Sequence, residues 1–315
     1  MTVTVAPMFE ALNSCQVCGG GRLSRVHDLT FDLSIYGTQD PELAAYSGCT
    51  LGLAQCAACG FSQPTALPSL PRFFDRLYDQ RWSEDWIRTE FEAQYKDAIF
   101  RAILRAMSRR LDPSRRRLLD VGAHAGRFIA LARADGWAAE GLELNPQTAA
   151  YAARRTGASV RQLNVHQVDV GTAAYDAITL TDVLEHIPDP VGVLEHVAAL
   201  LAPGGWVGVK VPCGPGQLRK ERWRGRLQRG YRPTVADNLV HVNHFSPASL
   251  RIALERAGFS RVTLTPGAPE LPDTAGCGGA VSRMVRRSLH CAARTLPAGL
   301  HLPVTLNLQA YARRG

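Results

Sequence analysis

The chain has 315 residues, of which 46% are hydrophobic, and a formal net charge of +8. This length suggests about two domains, and the apolar content supports at least one sizeable core. No apolar run approaches the roughly 18–20 residues of a membrane span, and the N-terminus lacks the pattern of a secretory signal, so we expect a cytoplasmic protein without a membrane partner. The basic excess fits an acidic substrate, a nucleic acid or a solvated arginine-rich surface.

Residues 1–65 contain two Cys-x-x-Cys-Gly motifs, "CQVCGG" and "CAACGF". In such a turn both thiolates reach one ion, and the glycine permits the tight backbone. Four thiolates form the closed tetrahedral shell of a structural Zn²⁺, which leaves no position for catalysis. Incidental thiols, disulfides or a redox pair are the alternatives, but a cytoplasmic chain disfavours disulfides and one redox pair does not explain two motifs. The predicted metal ligands are Cys15, Cys18, Cys56 and Cys59.

The pattern of the chain then changes in stages. "RVHDL" and "LGLAQC" read as strands of the cysteine module, and residues 66–112 as a linker and helical lid that includes Tyr78. Residues 113–315 alternate strand and helix signals, which predicts an α/β doubly wound, mostly parallel sheet with helices on both faces. Within this domain, residues 213–240 read as an irregular insertion. Its interleaved arginines and aromatics suit a solvated lid, a phosphorylated small substrate or RNA.

The turn "DVGAHAG" follows the first predicted strand of this domain. Gly122 permits the sharp turn, and Gly126 permits close approach of a ligand or of neighbouring backbone. His124 stands where a glycine is usual. The left-handed backbone conformation of such a position is uncommon for residues other than glycine. Glu143, after the second strand, can accept the hydroxyls of an adenosine ribose, which indicates an adenosine cofactor rather than a ligand-free turn. His124 would crowd a pyrophosphate, and Asp120 suits a cationic ammonium better than a phosphate.

In this context the chain resembles the class I S-adenosylmethionine-dependent methyltransferases, in their broad small-molecule branch. Five motifs carry the resemblance across residues 70–315: "LLDVGAHAGRF", "GLELNP", "YDAITLTDVLEHIPDP", "LLAPGGWVGVKVP" and "HVNHFSPASLRIALERAGF". The cysteine module resembles the N-terminal zinc-binding part of certain sugar C-methyltransferases. The resemblance implies a Rossmann-like sheet of seven strands, the last antiparallel, preceded by a small zinc-ribbon-like module.

The resemblance also implies the cofactor contacts. The first turn would hold the methionyl part, the acid after the second strand would hold the ribose, Gln162 to Asn164 would edge the adenine, and the end of the fourth strand would line the sulfonium. The residues implied are Asp120, Gly122, Ala123, Gly126, Glu143, Leu144, Asn164, Thr181 and Asp182.

Methyl transfer is an in-line displacement, and a hydroxyl or acidic carbon acceptor needs a base to remove its proton. Histidine is the usual base near neutral pH. The candidates are His241, His186 and His244, each with a structural role as its alternative, and we favour His241.

We therefore expect transfer to a small-molecule acceptor, such as a sugar or secondary metabolite, with O- or C-methylation favoured. A ribosomal RNA methyltransferase is a second hypothesis, against which stands the absence of an Asn-Pro-Pro-Tyr type motif. A non-catalytic zinc-dependent binding protein is a third, against which stand the intact Asp120, Gly122 and Glu143. The oligomeric state and the acceptor stay open.

Overall fold

The computed structural model describes residues 7–79, 82–171, 175–229, 241–271, 277–296, 299–302 and 305–315. Its N-terminal part contains two small antiparallel sheets, one of order β2-β3-β4 and one of β1 and β5. Both strands predicted in the cysteine module are confirmed. The elements are β1 (Phe9–Ala11), β2 (Leu23–Thr30), α1 (Pro41–Ala44), β3 (Thr50–Cys56), β4 (Ser62–Pro64), β5 (Ala66–Pro68) and α2 (Phe73–Arg76).

Two helices follow, α3 (Glu84–Glu92) and α4 (Asp97–Ser108). The helical spacing of apolar residues from Tyr95 to Met107 predicts one apolar face, which α4 confirms, because Ile99, Ile103 and Met107 are fully buried. Tyr95 fits this spacing in the sequence but precedes the helix. The side chain of Met107 comes close enough to Gly208 that a Cβ there would lie 2.6 Å from it, so α4 packs directly on the central sheet.

The central sheet has seven strands in the order β11-β12-β10-β9-β6-β7-β8. All neighbouring pairs are parallel except those made by β12, which runs antiparallel to β10 and β11. The predicted fold class is therefore confirmed. The strands are β6 (Arg117–Val121), β7 (Ala138–Leu142), β8 (Val160–Arg161), β9 (Tyr175–Thr181), β10 (Leu201–Pro212), β11 (Phe259–Pro266) and β12 (Asn307–Arg314).

Helices cover both faces of this sheet because consecutive strand residues point to opposite faces. Leu118 of β6 joins the core shared with α4 and with the helix that follows β6, whereas Leu119 joins the core on the opposite face of the sheet. Three of these helices start with a capping side chain followed by proline, as the sequence pattern predicts. The helices are α5 (Arg127–Ala134), α6 (Pro146–Thr156), α7 (Pro190–Leu200) and α9 (Pro247–Arg256).

The prediction of an irregular segment over 213–240 is wrong for its first half, where Gly214–Leu227 form α8. This stretch contains four arginines and two leucines, which favour helices even when interrupted by glycine. The rest of the predicted insertion, 230–240, lies outside the described residues. The pattern of "GGAVSRMVRRSLHCAARTLP" predicts an amphipathic helix, which is confirmed as α10 (Cys277–Thr295). No helix of the described residues is long and apolar enough to cross a membrane.

Candidate active site

A cavity of about 310 Å³ opens at the carboxyl ends of β6, β7 and β9. This is the edge at which open α/β sheets bind their ligands. Most of the cofactor residues predicted from the resemblance line it, whereas Gly126 and Gln162 do not. The lining members of that set are Asp120, Gly122, Ala123, Glu143, Leu144, Asn164, Thr181 and Asp182.

The turn after β6 has the conformation that its glycines indicate. Gly122 has φ of 74°, and a Cβ there would lie 2.4 Å from a methyl group of Val183, so only glycine fits. His124 has φ of 48°, the left-handed conformation expected of it. Gly126, with φ of 87°, accommodates a neighbouring helix, since its Cβ would lie 2.9 Å from Cβ of Ala152. Gly126 therefore shapes the packing of α5 on α6 and does not face the cavity.

Two acidic side chains face the cavity from adjacent strands. Asp120 is 3% exposed and accepts a 2.7 Å hydrogen bond from the hydroxyl of Thr179. Burial, together with the charge of Glu143, raises the pKa of Asp120 to about 7. Burial also raises the pKa of Glu143, although the carboxylate accepts the backbone N–H groups of His124 at 2.8 Å and Asn145 at 2.9 Å. A positively charged ligand would stabilise both carboxylates, whereas a pyrophosphate would not.

Asp182, at the end of β9, lies between two lysines that sequence reasoning did not assign to the site. Its carboxylate accepts hydrogen bonds from Lys96, at 2.9 Å, and from Lys210. Burial opposes ionisation, but the two lysines outweigh it and hold the pKa of Asp182 well below its usual range. Lys210 is 2% exposed on β10. A lysine inside the apolar strand "WVGVKVP" is the sequence feature that could have indicated its place in the site.

The N-terminal part of the chain supplies the opposite wall. Phe74, Asp75 and Tyr78 line the cavity. The Tyr78 ring lies 5.7 Å from the imidazole of His186, and its hydroxyl is buried without a hydrogen-bond partner among the described residues. Tyr78 therefore lies at the cavity, and its role as part of a lid, with core packing as the alternative, stays a prediction. The amide of Asn164 lies 3.4 Å from the carboxylate of Asp75, which links this wall to the segment after β8.

The three candidate bases occupy different environments. His186 lines the cavity, and the ring of His241 lies behind it, with 4.8 Å between the ring centroids. Burial is the main cause that lowers the pKa of His241 to about 3, so this imidazole is neutral at physiological pH. His244 is 4% exposed and does not line the cavity. Its backbone pairs with Ser62, which indicates a structural position.

Glu185 lies beside these histidines and was not predicted from the sequence. Its side chain is 1% exposed, and both carboxylate oxygens lack a hydrogen-bond partner among the described residues. Burial is the main cause that raises the pKa of Glu185 to about 8, and the charge of Asp182 is the second. Glu185, His186 and His241 offer ligand atoms within 4.8 Å of one another. Two imidazoles and a carboxylate can either relay a proton or hold a divalent cation.

The four cysteines form a separate cluster. Sγ of Cys15 lies 3.6 Å from Sγ of Cys59, and Cys18 and Cys56 are separated equally, which is too far for a disulfide of about 2.05 Å. A tetrahedral Zn²⁺ with Zn–S bonds of about 2.3 Å needs thiolates about 3.8 Å apart, so the cluster fits the ion. Burial opposes ionisation of Cys56, but backbone N–H groups outweigh it and lower its pKa to about 7.

The family model described as "Methyltransferase domain" matches residues 91–264, more than half of the chain. The chain therefore belongs to this family of S-adenosylmethionine-dependent methyltransferases. The matched region runs from the end of α3 to β11 and contains every side chain that faces the cavity from the central sheet.

Curated relatives match a shorter stretch. The Ubiquinone biosynthesis O-methyltransferase of Paracidovorax citrulli (strain AAC00-1) is 32% identical over 99 residues, which are 29% of this chain and 42% of the relative. The protein of the same name from Bordetella avium (strain 197N) is 36% identical over 98 residues, 29% of this chain and 41% of the relative. The chain thus spans about two fifths of the length of these relatives.

Solved structures share the fold at low identity. Phospholethanolamine N-methyltransferase 2 of Haemonchus contortus aligns with a TM-score of 0.51 and 15% identity, covering 79% of this chain and 62% of that one. The protein solved with the Trm112 methyltransferase activator of Haloferax volcanii has a TM-score of 0.51 and 17% identity, covering 76% and 97%.

Proposed function

We propose that the protein transfers a methyl group from S-adenosylmethionine to a small-molecule acceptor by in-line displacement. The observation that carries the proposal is the cavity at the carboxyl ends of β6, β7 and β9, where the buried carboxylate of Asp120, the partly buried carboxylate of Glu143 and a histidine face one space. The cofactor supplies a methyl group already activated by its sulfonium. The chain must align the acceptor with that methyl and exclude water.

The cofactor would lie along the ends of the three strands. The carboxylate of Asp120 would receive the ammonium of the methionyl part, and the carboxylate of Glu143 the ribose hydroxyls. Both acids are available for this because their present partners leave lone pairs unused. Leu144 would pack on the adenine and Asn164 would meet its edge, while Thr181 and Asp182 would lie toward the sulfonium. Glu143→Ala is expected to weaken cofactor binding in calorimetry.

We propose that His186 removes the acceptor's proton and that the neutral ring of His241 packs behind His186 and positions it. His186 faces the cavity, whereas His241, favoured from the sequence, lies one ring further back. His186→Ala should lower kcat by about 10²–10⁴-fold with little change in cofactor affinity. His241→Ala should lower kcat less than His186→Ala does. His244→Ala should change the stability of the protein and leave kcat per folded molecule unaltered. Full activity of the His186 variant would refute this assignment.

A divalent cation held by Glu185, His186 and His241 is a second candidate role for the same side chains. The unpartnered carboxylate of Glu185 favours it, because a buried carboxylate without hydrogen bonds is costly. A cation there would orient an acceptor hydroxyl and lower its pKa. Metal content per chain separates the two roles: Glu185→Gln lowers it if a cation is held, and leaves it unchanged if these residues only relay a proton.

A hydroxyl-bearing acceptor is supported by the curated relatives, whose names assign O-methylation in ubiquinone biosynthesis. Incubation with labelled S-adenosylmethionine and fractionated extract, followed by mass analysis of the methylated product, tests this class. Label in RNA would instead support the ribosomal alternative, and absence of cofactor binding in calorimetry would support a non-catalytic binding protein.

We also propose that the four-cysteine cluster holds a structural Zn²⁺. The sulfur separations and the buried, N–H-bonded thiols support it. All four positions are filled by protein, so this ion would take no part in methyl transfer.

A further inference from the structure

The helix α10 presents its apolar side chains away from the protein. Val281, Met284, Val285 and Leu289 recur at the spacing of one helical face, and they are 54%, 62%, 46% and 42% exposed. Ala293, one turn after Leu289 along the same row, is 3% exposed, so the exposed stripe ends before it. A surface helix ordinarily buries its apolar stripe, so this exposed stripe indicates a second surface that covers it.

The charged side chains of α10 itself are all positive. No aspartate or glutamate occurs from residue 274 to the end of the chain, whereas Arg286, Arg287 and Arg294 are exposed on α10. A second helix, α8, adds a similar surface, with Trp223 and Leu227 one turn apart and 68% and 70% exposed. The guanidinium of Arg219 on α8 donates to the carbonyl of His301, in the segment on which α10 packs.

We propose that α10 binds the surface of an anionic lipid bilayer. Its apolar stripe would enter the boundary between headgroups and acyl chains, and its arginines would contact lipid phosphates. A second copy of the chain is a poorer occupant, because two helices without acidic residues would repel one another. The sequence has no long apolar run, and for that reason it predicted no membrane partner. The outward direction of the α10 stripe changes that expectation. Surface binding needs no spanning helix.

Sedimentation with vesicles tests the proposal on the full chain and without any assay of methyl transfer. We expect the parent protein to bind vesicles of equal parts phosphatidylglycerol and phosphatidylcholine, to be released by high salt, and to bind pure phosphatidylcholine much more weakly. Each arginine near an anionic surface strengthens binding about fivefold, so Arg286→Ser with Arg287→Ser should weaken it about 25-fold. Met284→Ser with Leu289→Ser should weaken it at least as much.

Ile35→Ser is the matched control, since Ile35 is 68% exposed but lies in the N-terminal part of the chain. Unchanged vesicle binding by this control, with losses in both α10 variants, supports the proposal. It is overturned if the parent does not bind the anionic vesicles, if neutral vesicles bind equally well, or if Met284→Ser with Leu289→Ser binds as the parent does. A parent dimer that this α10 variant converts to a monomer, without vesicle binding, would show that a second copy covers the stripe.

Discussion

Affinity for S-adenosylmethionine should fall about tenfold between about pH 8 and about pH 6, because Asp120 must lose its proton to receive the cofactor's ammonium. The pKa of Asp120 is raised to about 7 in the protein without cofactor. At the higher pH this carboxyl is mostly ionised already. One unit below its pKa, about nine molecules in ten carry the proton, and its removal costs about 1.4 kcal/mol. Binding in the acid range therefore releases a proton.

Calorimetry across this pH range, in two buffers of different ionisation enthalpy, measures both the dissociation constant and the released proton. Thr179→Val is the informative variant, because the Thr179 hydroxyl donates to Asp120 and lowers its pKa. Without that hydrogen bond, the midpoint should move up by about one unit. Asp120→Asn should bind weakly and without this pH dependence. Because the charge of Glu143 helps to raise the pKa of Asp120, Glu143→Gln should keep a pH dependence but move its midpoint to lower pH. A dissociation constant that is flat in the parent, or a slope that survives in Asp120→Asn, refutes the reasoning.

Three further outcomes are expected. Cys56→Ser, or chelation of the parent, should remove one zinc per chain from the cysteine cluster and lower the melting temperature by at least about 5 °C, as measured by metal analysis and calorimetry; full thermal stability without zinc would contradict a structural ion. Lys210→Met should lower the free energy of unfolding in urea by about 3 kcal/mol, because Asp182 loses its buried partner. Lys210→Arg should lower this free energy by less. Gly126→Ala should cost about 3 kcal/mol through backbone strain and contact with Ala152, with unchanged cofactor affinity; weaker cofactor binding would place Gly126 in the site after all.

The sequence predicted the sheet well because its strands and helices have recognisable signals within short segments of the chain. Periodicity, capping residues and the Asp120–Gly126 turn are properties of short segments, and parallel strands bring their carboxyl ends to one edge. The pairing of Lys96 and Lys210 with Asp182 joins three distant segments and has no local signature. The buried state of Glu185 likewise depends on what packs around it. Helix α8 was missed because its glycines and interleaved arginines suggested a loop, although most of its other residues favour helices.

The cysteine cluster is hydrogen-bonded to the segment that carries His241, so its proposed zinc affects the active site indirectly. The hydroxyl of Ser246, which caps α9, donates to the carbonyl of Cys59 at 2.6 Å. The backbone groups of Ser62 and His244 exchange two hydrogen bonds of 3.1 and 2.9 Å. The turn around Cys59 thus fixes the start of α9 and the segment before it, which carries His241. Loss of the ion would loosen that turn first, and the ring behind His186 would lose its position even while the cofactor residues on β6 and β7 stayed in place.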